Sequence, residues 1–440
     1  MNDRKLTTDE AARIVESFDN LPVQRRVEII GDLSAEALEQ LISVSRRASE
    51  IMRRISEEEV FFTIKELGEE SAPALIAMTT GRQLQYVLDV ELWKKDMLDL
   101  RAAGRWLEFI AASGDDKIIQ FVQVTDSELL FAILGRLLRV RLRDPEVDLT
   151  EQMDSLPQFT LDDLFFVEFR TPDSEEAIKR ILEAIFRWHT EYYMTLMEHL
   201  SWDNHMEHEE TARKWRNSRL AEKGFPEFDE VLEIYQYINK GQLVGPLSSP
   251  PPERDAEEPC PMVKFPLKVL DSDNLFRRSL DRISTAEERD RLCAELAHLG
   301  NKVMIADGKD PGSAEEIRAS LMKVGAYINM ALEDVCEEDV ATAAALLKSN
   351  HMELLFRRGF SLILELRKDV QRFVRDYEGG AENLGSPLAS LVNGLLQKRP
   401  IYAGNVFENQ KARDFEFLED IATIRKLMDR SALEDKWEPV

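Results

Sequence analysis

Residues 351–377 read HMELLFRRGFSLILELRKDVQRFVRDY, with no proline and a single glycine. The apolar residues Leu354, Leu355, Phe356, Phe360, Ile363, Leu364, Leu366, Val370, Phe373 and Val374 recur mostly at the three-to-four spacing of an α-helix. They cover more than one face, too much apolar surface for a helix on the outside, so a buried organising helix is expected. Arg357, Arg358, Arg367, Lys368 and Arg372 mark its wet stripe or pair with the carboxylates around Glu333–Asp339. Gly379-Gly380 ends it.

The same period extends outward. Thr285–Met304, Ser313–Val335 and Val340–Lys348 read as helices before it, and Pro387 and Leu418–Met428 begin and fill two closing ones. Ala306 to Ser313 reads as a turn with a following capping box, Ser313 at the cap and Glu316 three residues on. It has two carboxylates and lacks the EF-hand spacing. Gly241 to Pro266, with three consecutive prolines, reads as a linker or exposed loop. Residues 267–440 then form a C-terminal helical domain.

Residues 1–143 read as short amphipathic helices in series, the first opened by Thr8-Asp9-Glu10. Ser56-Glu57-Glu58-Glu59 has the capping-box form and precedes Val60, Ile64 and Leu67, with Gly68 as the stop. Further helices are expected at 81–92, 102–112, 116–122 and 127–140. Asp32-Leu33-Ser34-Ala35-Glu36-Ala37-Leu38 and Thr125-Asp126-Ser127-Glu128-Leu129-Leu130 share an acidic cap, an apolar pair and a leucine. In this the region resembles the helical superhelix of magnesium-transporter amino-terminal domains and flagellar-motor switch proteins. The resemblance implies a right-handed solenoid, in which no helix pair buries its apolar face alone. A compact irregular bundle is the alternative.

Residues 144–240 are a helical region with an aromatic insert, and Asp163–Phe169 is the best strand candidate in the chain. Ser174 opens a long helix through Ile181, Ile185, Tyr193 and Leu196. Another runs from about Asp203 to Glu222, and a short one begins at Pro226. The expected fold class is all-α: an irregular helical-repeat, superhelix-like first part plus a helical second part, with one short strand or hairpin near 163–169.

Three phrases carry a second resemblance: Arg213 to Pro226, Asn301 to Gly308, and Glu353 to Ser361. Over roughly residues 20–430 the chain resembles a family of uncharacterised, mainly deltaproteobacterial proteins. That resemblance implies no active site.

Composition limits the function classes. The chain has 57 Lys and Arg against 83 Asp and Glu, a formal charge of −26. Such a surface repels phosphate, so neither nucleic acid nor an anionic membrane is an expected partner. No apolar run approaches a membrane span or a secretory signal. Three widely spaced cysteines exclude a disulfide framework, and a reduced bacterial cytoplasm fits best.

Ligand-type side chains crowd only between His189 and Glu210. His205, His208 and Glu209 fall at i, i+3 and i+4, so one helix face offers imidazole and carboxylate together, as Zn, Fe or Mn would need. No Glu-x-x-His pair or second His of HExxH accompanies them. The alternative is a solvated helix start with acids favoured by the helix dipole. Arg213, Trp215, Arg216 and Arg219 form the best basic group, suited to a phosphate or an acidic partner. The other reading has them neutralising the preceding acids through pairs such as Glu209–Arg213 and Glu210–Lys214. No nucleophile elbow or phosphate loop occurs, and no cofactor is expected. The leading expectation is a cytoplasmic scaffold or adaptor for protein partners, a basic one favoured by the acidic first half. Its rival is a metal-binding protein or enzyme centred on His189–Arg219.

Overall fold

The computed structural model describes residues 17–434 apart from 32, 95, 145, 148–151, 153–154, 203–204, 227–230, 245–262, 271–272, 378–383 and 404–411. The helix opened at Thr8 and most of the expected linker lie outside the described residues. The chain divides into two compact units, Met1–Glu222 with Pro259–Val263 and Lys223–Glu258 with Lys264–Val440. Helix dominates both, and the all-α class holds.

Among the described residues the first unit includes nine short helices: α1 (Val23–Gly31), α2 (Ala35–Val44), α3 (Ala48–Met52), α4 (Glu57–Leu67), α5 (Pro73–Met78), α6 (Gly81–Glu91), α7 (Leu100–Ala112), α8 (Asp115–Val124) and α9 (Ser127–Leu137). Four of the starts, at Ser34, Ser56, Thr80 and Asp99, are capped by side chains. Ser56 Oγ accepts from the Glu59 amide at 3.1 Å, and Asp99 accepts from Arg101 and Ala102. Thr80 and Gln83 cap reciprocally, a capping box that uses glutamine in place of glutamate. Helices this short are marginal alone, so packing must hold them. From α1 to α7, each helix packs against the next but one.

The helix expected over 127–140 ends at Leu137, and the chain continues as strand β3 (Leu138–Leu142). In Leu-Arg-Val-Arg-Leu the polarity alternates: Leu138 and Val140 are buried, Arg139 and Arg141 exposed. A period of two suits a strand. A hairpin of β4 (Phe159–Thr160) and β5 (Phe165–Phe169) completes a three-stranded antiparallel sheet in the order β3-β5-β4. The strand expected at 163–169 is therefore real, but its first partner is a segment read as helix. A second, two-stranded hairpin, β1 (Trp93–Lys94) with β2 (Met97–Leu98), follows α6.

The long helix expected from Ser174 is broken in two, α10 (Glu175–Trp188) and α11 (Thr190–Ser201). His189 is extended, and its Nδ1 accepts from the Tyr192 amide at 3.0 Å. The imidazole thus caps a new helix where apolar spacing alone reads straight through. The unit closes with α12 (His205–Glu222), which packs on α9 and α6.

The second unit contains α13 (Phe265–Val269), α14 (Leu275–Asp281), α15 (Ala286–Ala306), α16 (Ala314–Cys336), α17 (Val340–Ser349), α18 (Met352–Asp376), α19 (Leu388–Leu396) and α20 (Leu418–Glu434). Helix α18 is the one the sequence marked. It packs on α15, α16, α19 and α20, and Leu355, Phe356, Phe360, Ile363, Leu366 and Val370 are buried in the core. Arg358 leaves the wet stripe altogether, buried against Asp334 at 3.0 Å and Glu365 at 2.8 Å. Phe360 is packed against Tyr235 and Tyr327. Phe360→Ala should therefore cost about 3–5 kcal/mol in denaturant unfolding. A variant that unfolds like the parent would show that α18 is not a core element.

Candidate functional site

The residues singled out in the sequence lie on α12, and the first unit engages nearly all of them. Helix α6 runs Tyr86-Val87-Leu88-Asp89-Val90, a buried apolar stretch with one acid inside it. The Asp89 side chain is only 2% exposed, and Arg219 clamps it through Nε at 2.7 Å and Nη2 at 2.8 Å. Arg219 Nη1 also reaches Asp126 at 2.6 Å. Burial pushes the Asp89 carboxyl up, and Arg219 opposes it. Burial likewise works against the Arg219 charge, but the two acids outweigh it and hold the guanidinium above its ordinary range. This is a fork-to-carboxylate pair of the strong, geometrically specific kind.

Arg213 lies one and a half turns earlier and pairs outward, with Glu210 at 3.0 Å and Asp96 at 3.6 Å. Arg213 holds Glu210 below the usual carboxylate range. The expected Glu210–Lys214 pair is present at 3.5 Å, whereas the expected Glu209–Arg213 pair is not. Glu209 turns inward instead: it accepts from the Leu98 amide at 2.9 Å and meets Arg136 at 2.8 Å. Arg216 donates from Nε to the Asp89 carbonyl at 2.6 Å. Burial pushes its pKa down to about 10. Trp215 is 44% exposed on the helix. The indole that meets Arg216 is Trp93 of β1, its ring centroid 5.5 Å from the guanidinium carbon.

Of the metal candidates, His208 bonds through Nδ1 to Glu128 and packs beside Phe131. Glu209 is held as described, and the His205 side chain lies outside the described residues. No group of three or more His, Cys, Asp or Glu side chains is placed to hold a metal ion among the described residues. The imidazoles serve an aromatic row, Trp202–His199–Phe131–His208, with centroid separations of 5.9, 4.9 and 5.1 Å.

The second unit holds a constellation that sequence reading passed over as a turn. Asp307, at the end of α15, has a side chain 9% exposed and meets Lys323 of α16 at 2.7 Å and Arg399 at 3.2 Å, and it accepts from the Tyr235 hydroxyl at 2.8 Å. Lys323 also faces Asp414 at 3.5 Å. Arg399 lies 3.9 Å from the Tyr235 ring centroid, and Lys323 about equally far from the Tyr235 and Tyr327 rings, at 5.4 and 5.8 Å. Burial drives both phenols well above their ordinary pKa, so they act as neutral donors rather than nucleophiles. With two acids and two bases, the cluster is balanced and fully bonded. Its chemistry is that of a polar rivet joining five segments of the unit. The partners of Asp307 are 16 to 92 residues away in sequence, so no local spacing announces them.

Both units thus bury ionic networks inside a mainly helical framework. A protein of this class is a helical body with no assigned reaction. The chain belongs to a family of unknown function, DUF6178, whose profile it matches over residues 15–437. The resemblance carried by the three phrases is borne out at that level. No curated protein and no solved structure matches the chain.

Proposed function

We infer that the chain is a cytoplasmic scaffold or adaptor whose first unit docks a basic segment of a protein partner at the start of α12. One observation carries the reading: large apolar side chains stand in water beside an acid, Asp96, that stays open to solvent. Met206 is 78% exposed and Met97 is 67% exposed. Glu209, one turn from Met206, bonds the amide of Leu98, the residue after Met97, which ties the start of α12 to the β1–β2 hairpin. Asp96, next to Met97 in sequence, keeps its side chain 76% exposed, and Trp202, 58% exposed, ends the aromatic row. Methionine and tryptophan supply adaptable contact area at interfaces. The surplus of acid over base in the chain favours a basic occupant and opposes nucleic acid. No single described helix is long and apolar enough to cross a membrane. The metal-centred alternative loses support because His208 and Glu209 are already bonded inside the unit.

The test compares immobilised wild type with a Met97→Lys/Met206→Lys variant of unchanged helicity. The reading expects wild type to retain a basic protein that salt releases and that the variant fails to retain. Equal retention by both chains, or retention only of a second copy of this chain, overturns it.

A further inference from the structure

Arg213, Arg216 and Arg219 succeed one another at three-residue steps along α12, yet only two of them have acids. Arg213 is paired with Glu210 and Asp96, and Arg219 with Asp89 and Asp126. Arg216 forms no ion pair among the described residues. Its Nε bonds the Asp89 carbonyl and its Nη1 the Asn217 side-chain oxygen at 3.1 Å, which leaves Nη2 without an acceptor. Beside it, Trp93 is 6% exposed, and its indole N–H is buried with no acceptor of its own. Two donors without acceptors, one of them charged, are thus brought together by the stacking of Arg216 on the Trp93 ring. The indole N–H is cut off from water, so leaving it unmet is costly, and an acceptor carrying negative charge would satisfy it and the guanidinium together.

We propose that Arg216 and Trp93 form a binding site for one carboxylate group of a small-molecule or peptide ligand. Two free N–H donors match the two oxygens of a carboxylate. Asp89 and Asp96 lie on either side, and although Arg219 and Arg213 hold them, their charge penalises a second negative charge at the site. A carboxylate monoanion is therefore favoured over a phosphate dianion. Burial has lowered the stability of the Arg216 charge, and an anion restores it. This site is independent of the docking face at Met97 and Met206, so failure of either reading leaves the other standing.

The experiment follows the six tryptophan indole N–H resonances by nuclear magnetic resonance while acetate, and separately inorganic phosphate, is added. Loss of one peak in Trp93→Phe assigns the Trp93 resonance. Acetate is expected to shift that resonance saturably in wild type, and Arg216→Gln should weaken the response by on the order of tenfold or more. Arg216→Lys keeps the charge but loses the fork, and should also weaken it. A Trp93 resonance unmoved by acetate in the wild-type protein overturns the proposal. So does a shift that persists in a folded Arg216→Gln variant, or one produced by phosphate and not by acetate.

Discussion

Gly359→Ala is expected to destabilise the second unit by about 3 kcal/mol or more, although alanine is the better helix former by roughly 1 kcal/mol. Gly359 sits where α18 crosses α16, and a Cβ there would meet the Tyr327 carbonyl oxygen at 2.0 Å and its carbon at 2.6 Å. Both obstacles are backbone, so no side-chain rotation relieves them. The helices would have to separate, and the stacked rings of Tyr327, Phe356 and Phe360 lie at that crossing. Denaturant unfolding checks this: the midpoint should fall with little change in slope. A variant as stable as wild type, or more so, would mean that the two helices do not approach this closely.

Arg219→Gln should cost the first unit about 3–5 kcal/mol, the usual effect of removing one partner from a buried pair. The cost arises mainly from what remains, a carboxylate on Asp89 without its guanidinium in a nearly inaccessible position. Asp126 is more open to water and loses less. Asp89→Asn should recover much of the loss when combined with Arg219→Gln, because it removes the uncompensated charge. Arg213→Gln, whose pairs are at the surface, should change stability by less than about 1 kcal/mol. Equal effects from Arg213 and Arg219 would show that burial does not distinguish them.

The long helices were legible because their periodicity is sustained over many turns, as in α16 and α18. Boundaries failed where a single residue changes the local rule. His189 caps through its ring, and the Arg139 and Arg141 alternation converts a helix end into β3. The acidic and basic residues of α12 were visible as a cluster, but the inward partners of Glu209 and Arg219 come from 73 to 130 residues away, so the sequence could not separate inward from outward arginines. One signal was available: Asp89 stands inside an apolar run on α6, and a buried acid implies a basic partner. The Asp307 cluster offered no such signal, since its members are scattered from Tyr235 to Asp414 across separate polar stretches.

The central claim is that α12 is fixed to α6 by the Arg219–Asp89 pair, leaving Arg216 and the outer face of the helix for other molecules. A double-mutant cycle on that pair tests it most directly, with unfolding free energies measured for wild type, Asp89→Asn, Arg219→Gln and the double variant. The account predicts a coupling energy of about 2–3 kcal/mol, the upper part of the range for residues in direct contact. Additivity within about 0.5 kcal/mol would contradict it, because two residues that do not interact in the folded chain contribute independently.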